Sequence, residues 1–163
     1  MLLGLRQRPE DARVGALVRV MAEGLPQWRR RPLLVPVPSW KRSGNPLPDL
    51  MCRELVRQLG YRQGDLLERS RPVLGQHHLK RAMRLANQDG AFRCRRRPRP
   101  GEATGRPILI VDDILTSGAT GCSAALALET LGWPVVGMLC LARTPSARAA
   151  KARTQPGRSC SGL

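Results

Sequence analysis

The stretch from residue 108 to residue 142 constrains the fold more than any other part of the chain. It opens with four aliphatic residues, Ile108, Leu109, Ile110 and Val111, and passes through a short polar segment into an alanine-rich segment at 118–131. Gly132 and Pro134 close that segment, and a second aliphatic run follows at 135–142. Short unbroken apolar runs fit strands buried on both faces, and a segment closed by glycine with proline just beyond fits a helix. Strand, helix and strand in so short a span describe a right-handed βαβ unit. The expected fold class is therefore α/β, a parallel sheet with helices on both faces.

The remaining segments fit that plan. Val14, Leu17, Val18, Met21 and Leu25 fall on one stripe of an amphipathic helix over 11–25. Residues 33–38 read as a buried strand ending where prolines remove ladder donors. Residues 48–59 read as a second helix, with Pro48 and Asp49 in its first turn and Gly60 placed to end it. Residues 65–69 read as another strand, 70–92 as a polar, basic segment, and 93–106 as a basic, Pro/Gly-rich connection. From Pro145 the composition shifts to Ala, Arg, Lys, Ser and Gly, which predicts one domain over 1–144 and a basic, disordered tail over 145–163. Aromatic residues make up only 3% of the chain, so the core is expected to be mainly Leu, Val, Ile and Ala.

Charge and cysteine content narrow the function classes. The formal net charge of +16 suits phosphorylated ligands or nucleic acid, and arginine-rich lineage composition accounts for it equally well. Five scattered cysteines contain no Cys-x-x-Cys pair, which argues against a disulfide framework. His77 and His78 have no cysteine or acidic neighbour at metal-ligand spacing, so no protein-bound metal site is expected. No apolar run is long enough to span a membrane, and the short run at residues 2–5 is too brief for a signal peptide. A cytoplasmic location is the expectation.

The chemistry is concentrated in residues 108–120. Asp112 and Asp113 follow the aliphatic strand, and Thr116, Ser117, Gly118, Ala119 and Thr120 lead into the helix. Open α/β sheets take ligands at the carboxyl ends of their strands. A hydroxyl- and glycine-containing loop at a helix N-terminus offers backbone N–H groups to a phosphate. Each part alone fits a solvated turn or a helix cap; the order of the parts points to a phosphate site beside paired carboxylates.

This run resembles the phosphoribosyl-pyrophosphate motif of type I phosphoribosyltransferases. The resemblance implies that Asp112 and Asp113 hold the ribose hydroxyls and that Thr116, Ser117, Gly118, Ala119 and Thr120 bind the 5-phosphate. A second segment, Gln76 to Phe92 with Leu79, Arg84, Asn87 and Ala91 at characteristic spacing, resembles the competence protein ComF family, as does Val35-Pro36-Val37-Pro38. Together the likeness covers about residues 12–143. It implies a type I phosphoribosyltransferase-like fold and a segment that closes over the ligand. Lys80, Arg81 and Arg84 stand there as cations for pyrophosphate, Arg84 as a catalytic group, although a solvated face is an equal reading of all three. ComF proteins often begin with a cysteine-rich zinc module; this chain starts after the place where it would lie, and zinc is not implied. The chain also departs from the family after the first strand, where Ser43-Gly44-Asn45-Pro46-Leu47 stands, so pyrophosphate contacts by Ser39, Lys41 and Arg42 are weakly indicated.

The implied reaction displaces pyrophosphate from C1 of the ribose, with Mg²⁺ carried on the pyrophosphate ligand. The acceptor has no readable signature. The implied partners are phosphoribosyl pyrophosphate or a ribose phosphate, with non-specific DNA and self-association left open. The alternative function is a non-catalytic ComF-like protein that assists DNA uptake, using arginines at 29–31, 93–99 and in the tail. Aromatic residues for base stacking are nearly absent from those segments. A regulatory nucleotide-binding protein without catalysis is a third reading.

Overall fold

The computed structural model describes residue 4 and residues 11–39, 44–70, 90–102 and 106–144. Helix α1 (Asp11–Glu23) leads to strand β1 (Leu33–Pro36) and helix α2 (Leu47–Leu59). Short strands β2 (Arg62–Gln63), β3 (Leu67–Arg69) and β4 (Phe92–Cys94) follow, then β5 (Ile108–Leu115), helix α3 (Ala119–Thr130) and β6 (Val135–Arg143). The main sheet has the order β2-β1-β5-β6, and every pairing in it is parallel.

Period-two alternation in the central strands sorts the core into two layers. Leu33, Val35, Ile108 and Ile110 face Ala124 and Leu128 of α3. Leu34, Leu109 and Val111 face Val14 and Val18 of α1 and Met51 and Leu55 of α2. Helices therefore cover both faces, as the α/β reading requires. β3 and β4 pair antiparallel, with Leu67 opposite Cys94 and Arg69 opposite Phe92. This ribbon lies on the α3 side, where Leu67 and Phe92 join the same cluster.

The helix ends follow local chemistry. Pro48 occupies the first turn of α2, and Gly60, at φ +66°, ends it with its N–H donated to the Val56 carbonyl. At the start of α3 a Cβ on Gly121 would lie 2.5 Å from the Met138 sulfur, so a side chain here would force Met138 to move.

Two expectations change. The strand expected at 108–111 runs on to Leu115, which puts Asp112 and Asp113 inside it. The cause is the length of β6, which pairs Asp112 with Cys140 and Leu115 with Arg143. β4 lies across the boundary of two segments read as non-strand; its Phe92 is buried and Arg93 exposed, and charge hid the pattern. The core is built mainly of Leu, Val, Ile and Ala, as expected, with Tyr61, Phe92 and Trp133 as its aromatic members among the described residues. Trp133 is the largest fully buried side chain, with its Nε1–H donated to the Arg96 carbonyl at 3.0 Å. Residues 145–163, read as a tail, lie outside the described residues.

Candidate functional site

The site is built where β1 and β5 stop pairing. Their ladder ends at Pro36 opposite Val111, with one more bond from the Val37 N–H to the Val111 carbonyl at 2.9 Å. Pro38 has no N–H with which to continue it. β5 goes on beside β6 for four more residues, Asp112 to Leu115. The carboxyl end of a parallel sheet, where neighbouring strands part, is the place open α/β folds use for ligands.

Asp112 is half-buried, and its Oδ1 accepts the Asp113 backbone N–H at 2.9 Å. Asp113 is only 2% exposed and is the buried charged residue among those described. Strand alternation puts Asp112 on the face of Ile108 and Ile110 and Asp113 on the face of Leu109 and Val111. The pair is therefore not the solvated turn that the sequence left open: both residues lie within the strand, with Asp113 buried and Asp112 half-buried.

Beyond Leu115 the chain turns through Thr116, Ser117 and Gly118 into α3. Gly118 is the N-cap residue at φ +82°, a backbone conformation that side-chain-bearing residues rarely adopt. The Ser117 Oγ accepts the Ala119 N–H at 3.4 Å, and the Gly118 carbonyl accepts the Cys122 N–H at 2.9 Å. Ala119 is buried at 2% exposure and offers a ligand only its backbone, while Thr116, Ser117 and Thr120 are half-buried. The first turn of α3 thus presents N–H groups and hydroxyls just beyond the strand that carries the two carboxylates, an arrangement able to hold a phosphate beside a polyol.

Arg69 is the site residue that sequence reasoning missed. From the end of β3 its Nε–H donates to the Pro38 carbonyl at 3.0 Å, and its guanidinium stands 4.2 Å from the centroid of the Phe92 ring. Burial lowers its pKa, and the neighbouring Asp112 charge opposes that shift. Nothing in the sequence distinguishes it from the other members of a set of 28 lysines and arginines.

Cys140, opposite Asp112 on β6, is not a nucleophile. Burial first, then the charges of Asp112 and Asp113, push its thiol up to about 12, and it stays protonated near neutral pH. Lys80, Arg81 and Arg84, the closing segment around them, and Lys41 and Arg42 lie outside the described residues. Ser39 is exposed just past the end of β1. Among the described residues no group of three or more His, Cys, Asp or Glu could hold a metal ion.

No protein-family model matches the chain. A DNA utilization protein YhgH from Escherichia coli is 34% identical over 121 residues, covering 74% of this chain and 48% of the relative. Proteins of the same name from Shigella flexneri and Salmonella typhi are each 33% identical over 121 residues. The chain thus spans about half the length of the curated relatives it matches. Among solved structures it is similar to the allosteric regulatory enzyme of purine biosynthesis, with a TM-score of 0.51 and 16% identity, over 80% of this chain and 26% of that one. That likeness is one of fold: an α/β, parallel sheet with helices on both faces. Among the described residues no helix is long and apolar enough to cross a membrane.

Proposed function

We propose that the chain binds phosphoribosyl pyrophosphate, or a related ribose 5-phosphate ligand, at the carboxyl end of β5 and transfers its phosphoribosyl group to an acceptor. One observation carries this reading: the buried Asp113 and half-buried Asp112 stand directly before a positive-φ Gly118 loop that opens α3. The motif's resemblance to type I phosphoribosyltransferases and the fold both support it.

In this reading the loop at Thr116, Ser117, Gly118, Ala119 and Thr120 binds the 5-phosphate, and Asp112 and Asp113 orient the ribose hydroxyls. The C1–oxygen bond breaks, pyrophosphate leaves with the electron pair, and the acceptor forms a new bond at C1. Positive charge grows on the ribose during this step, and the two carboxylates stabilise it. Arg69 holds the Asp112 side of the site against the end of β1. Lys80, Arg81 and Arg84 are assigned to the departing pyrophosphate, as the ComF-like segment implies. Mg²⁺ would be carried on the pyrophosphate and would offset part of its charge. The proposed setting is cytoplasmic.

Isothermal titration of the chain with phosphoribosyl pyrophosphate, with and without Mg²⁺, tests the reading. Binding that strengthens with Mg²⁺ and weakens in Asp113→Asn supports it; no binding in either condition removes it.

A second reading is favoured by the name of the relatives, DNA utilization protein, and by the net charge of +16. Here a ComF-like protein assists DNA uptake in natural transformation and keeps the phosphoribosyl site without turnover. Pyrophosphate release separates the two: ligand binding with no release in the presence of candidate acceptors favours this second reading.

A further inference from the structure

We propose that the free edge of β6, together with the outer flank of α1 above it, is a self-association surface at which a second copy of the chain continues the sheet. β6 is the last strand in the order β2-β1-β5-β6, and among the described residues it forms a ladder with β5 alone. Every second residue of its nine therefore directs an N–H and a C=O away from the sheet. Edges of this length are commonly blunted by lysine, proline or an inward-pointing charge. From Val135 to Ala142 the strand carries no charged residue and no proline, and Arg143 comes only at its end. A register shift after Val135 leaves Gly137 to Arg143 in continuous register with β5. No residue of β6 is fully buried, whereas β5, of the same aliphatic character, is buried from Ile108 to Val111.

The layer above the edge is apolar too. α2 covers β1 and β5, and α1 lies beside α2 over β6. Gly15 marks the α2 side of α1, where its carbonyl accepts the Gln58 Nε2–H at 2.9 Å. At about 3.6 residues per turn, Leu17 and Val20 fall on the opposite flank, which faces past β6 and off the end of the sheet. Leu17 is half-buried and Val20 is 67% exposed; on β6 itself Val136 is 43% exposed. Leu17 and Met21 of α1 and Leu139 and Leu141 of β6 pack on one core cluster. The exposed apolar surface is thus the open side of the core, and a further strand and helix would close it.

A second copy meets these requirements. Two strands related by a two-fold axis run antiparallel and offer each other the same residues. With Leu139 or Cys140 on the axis, Arg143 lies opposite the partner's Val135 or Gly137, and the two arginines stand at opposite ends of the ladder. Two chains of net charge +16 repel, so they can meet closely only through a surface that holds almost none of that charge. Residues 145–163 contain no Val, Ile or aromatic residue, so that stretch lacks the side chains that favour a covering strand. A strand about 30 Å long with a helix layer about 10 Å above it gives a patch on the order of 600 Å² per partner. A standard interface takes about 800 Å² per partner, so the patch is of the right order for a dimer.

Sedimentation velocity over a concentration series tests the proposal. The chain, 18.0 kDa as a monomer, is expected to pass to a species of twice that mass as concentration rises. Added salt should favour that species by screening the repulsion between the two chains. Val20→Lys with Val136→Lys puts charge at exposed positions of the patch and should weaken dimerisation about a hundredfold. Val56→Lys with Leu126→Lys makes the same changes at exposed positions on α2 and on the β4 side of α3, and should leave dimerisation as it is. In the wild type, amide hydrogen exchange between Val135 and Arg143 should slow as concentration rises, a measurement that needs no variant to fold. A wild-type chain that stays monomeric at every concentration overturns the proposal. So does a dimer that both variants weaken equally or that neither weakens, a dimer that salt dissociates, or one whose β6 amides exchange as fast as the monomer's. None of these readouts involves phosphoribosyl pyrophosphate, so the result stands apart from the proposed phosphoribosyl site.

Discussion

The guanidinium of Arg69 is held over the ring of Phe92, 4.2 Å from its centroid, across the register pair that joins β3 to β4. The same side chain binds the Pro38 carbonyl at the end of β1 and faces Asp112 on β5. One residue thereby ties the antiparallel ribbon to two strands of the main sheet at the candidate site. Arg69→Gln should lower stability by about 1–2 kcal/mol through loss of the stack and the charged donor. It should also weaken binding of phosphoribosyl pyrophosphate, with Arg69→Lys intermediate in both. Urea denaturation and calorimetric titration measure the two effects, and wild-type behaviour of Arg69→Gln would remove its positioning role.

Asp113→Asn keeps the side-chain volume and removes the charge. Loss of a charge-assisted contact to the ribose is expected to weaken ligand binding by about ten- to a hundredfold. Because Asp113 is 2% exposed, Asp113→Ala should in addition lower stability by about 1–3 kcal/mol, leaving its buried partners unsatisfied. Equal affinity of Asp113→Asn and wild type in titration would exclude the carboxylate from the site.

Gly121→Ala tests how tightly the first turn of α3 is mounted on the sheet. Its new methyl group would lie 2.5 Å from the Met138 sulfur, and overpacking of this kind costs about 1–3 kcal/mol. Met138→Ala in the same chain should recover part of the loss. A double-mutant cycle by thermal unfolding reads the coupling, and additive effects would show that the contact is absent in solution.

Glu102 supplies a pH-dependent contribution. Hydrogen bonds from Arg96 and from the Arg99 backbone N–H hold its carboxyl at about 2, below its ordinary value of 4.5. A depressed carboxyl pKa stabilises the fold above the unfolded value, and that stability is lost as pH falls from about 4.5 towards about 2. The pair is largely solvated, so screening limits the effect to about 1 kcal/mol or less. In Glu102→Gln the part of the acid-induced loss belonging to this window should disappear, as followed by denaturation at a series of pH values.

Thiol reagents should discriminate between neighbouring cysteines. Cys122 is exposed on α3, whereas the Cys140 thiol is pushed up to about 12. Mass spectrometry after brief alkylation near pH 8 should find Cys122 modified and Cys140 intact in the folded protein. Comparable labelling of both would contradict the environment described for β6.

Short-range signals in the sequence were enough to place the principal elements and the loop. Four aliphatic residues, an alanine-rich segment and Gly132 defined β5 and α3, because strand burial, helix propensity and glycine stop signals act over a few residues. Gly118 before a helix likewise marked the turn into α3. The same local reading stopped β5 at Val111, since an aspartate pair looks like an exit from a strand. It also passed over β2 and β4, which are two and three residues long and carry Arg62 and Arg93.

What the amino-acid order determined by itself was the α/β class, the βαβ unit and the run in which Asp112 and Asp113 precede the Gly118 turn into α3. Tertiary structure decided the rest. β6 extends alongside β5 to Leu115, and that pairing buries Asp113. Arg69 reaches Asp112 from a strand more than forty residues away in sequence, and Arg31, Arg62 and Arg106 meet across three chain segments. A side chain's burial and its charged neighbours depend on which distant strand lies beside it. Local periodicity carries no record of that choice, because it is made by the packing of the whole sheet.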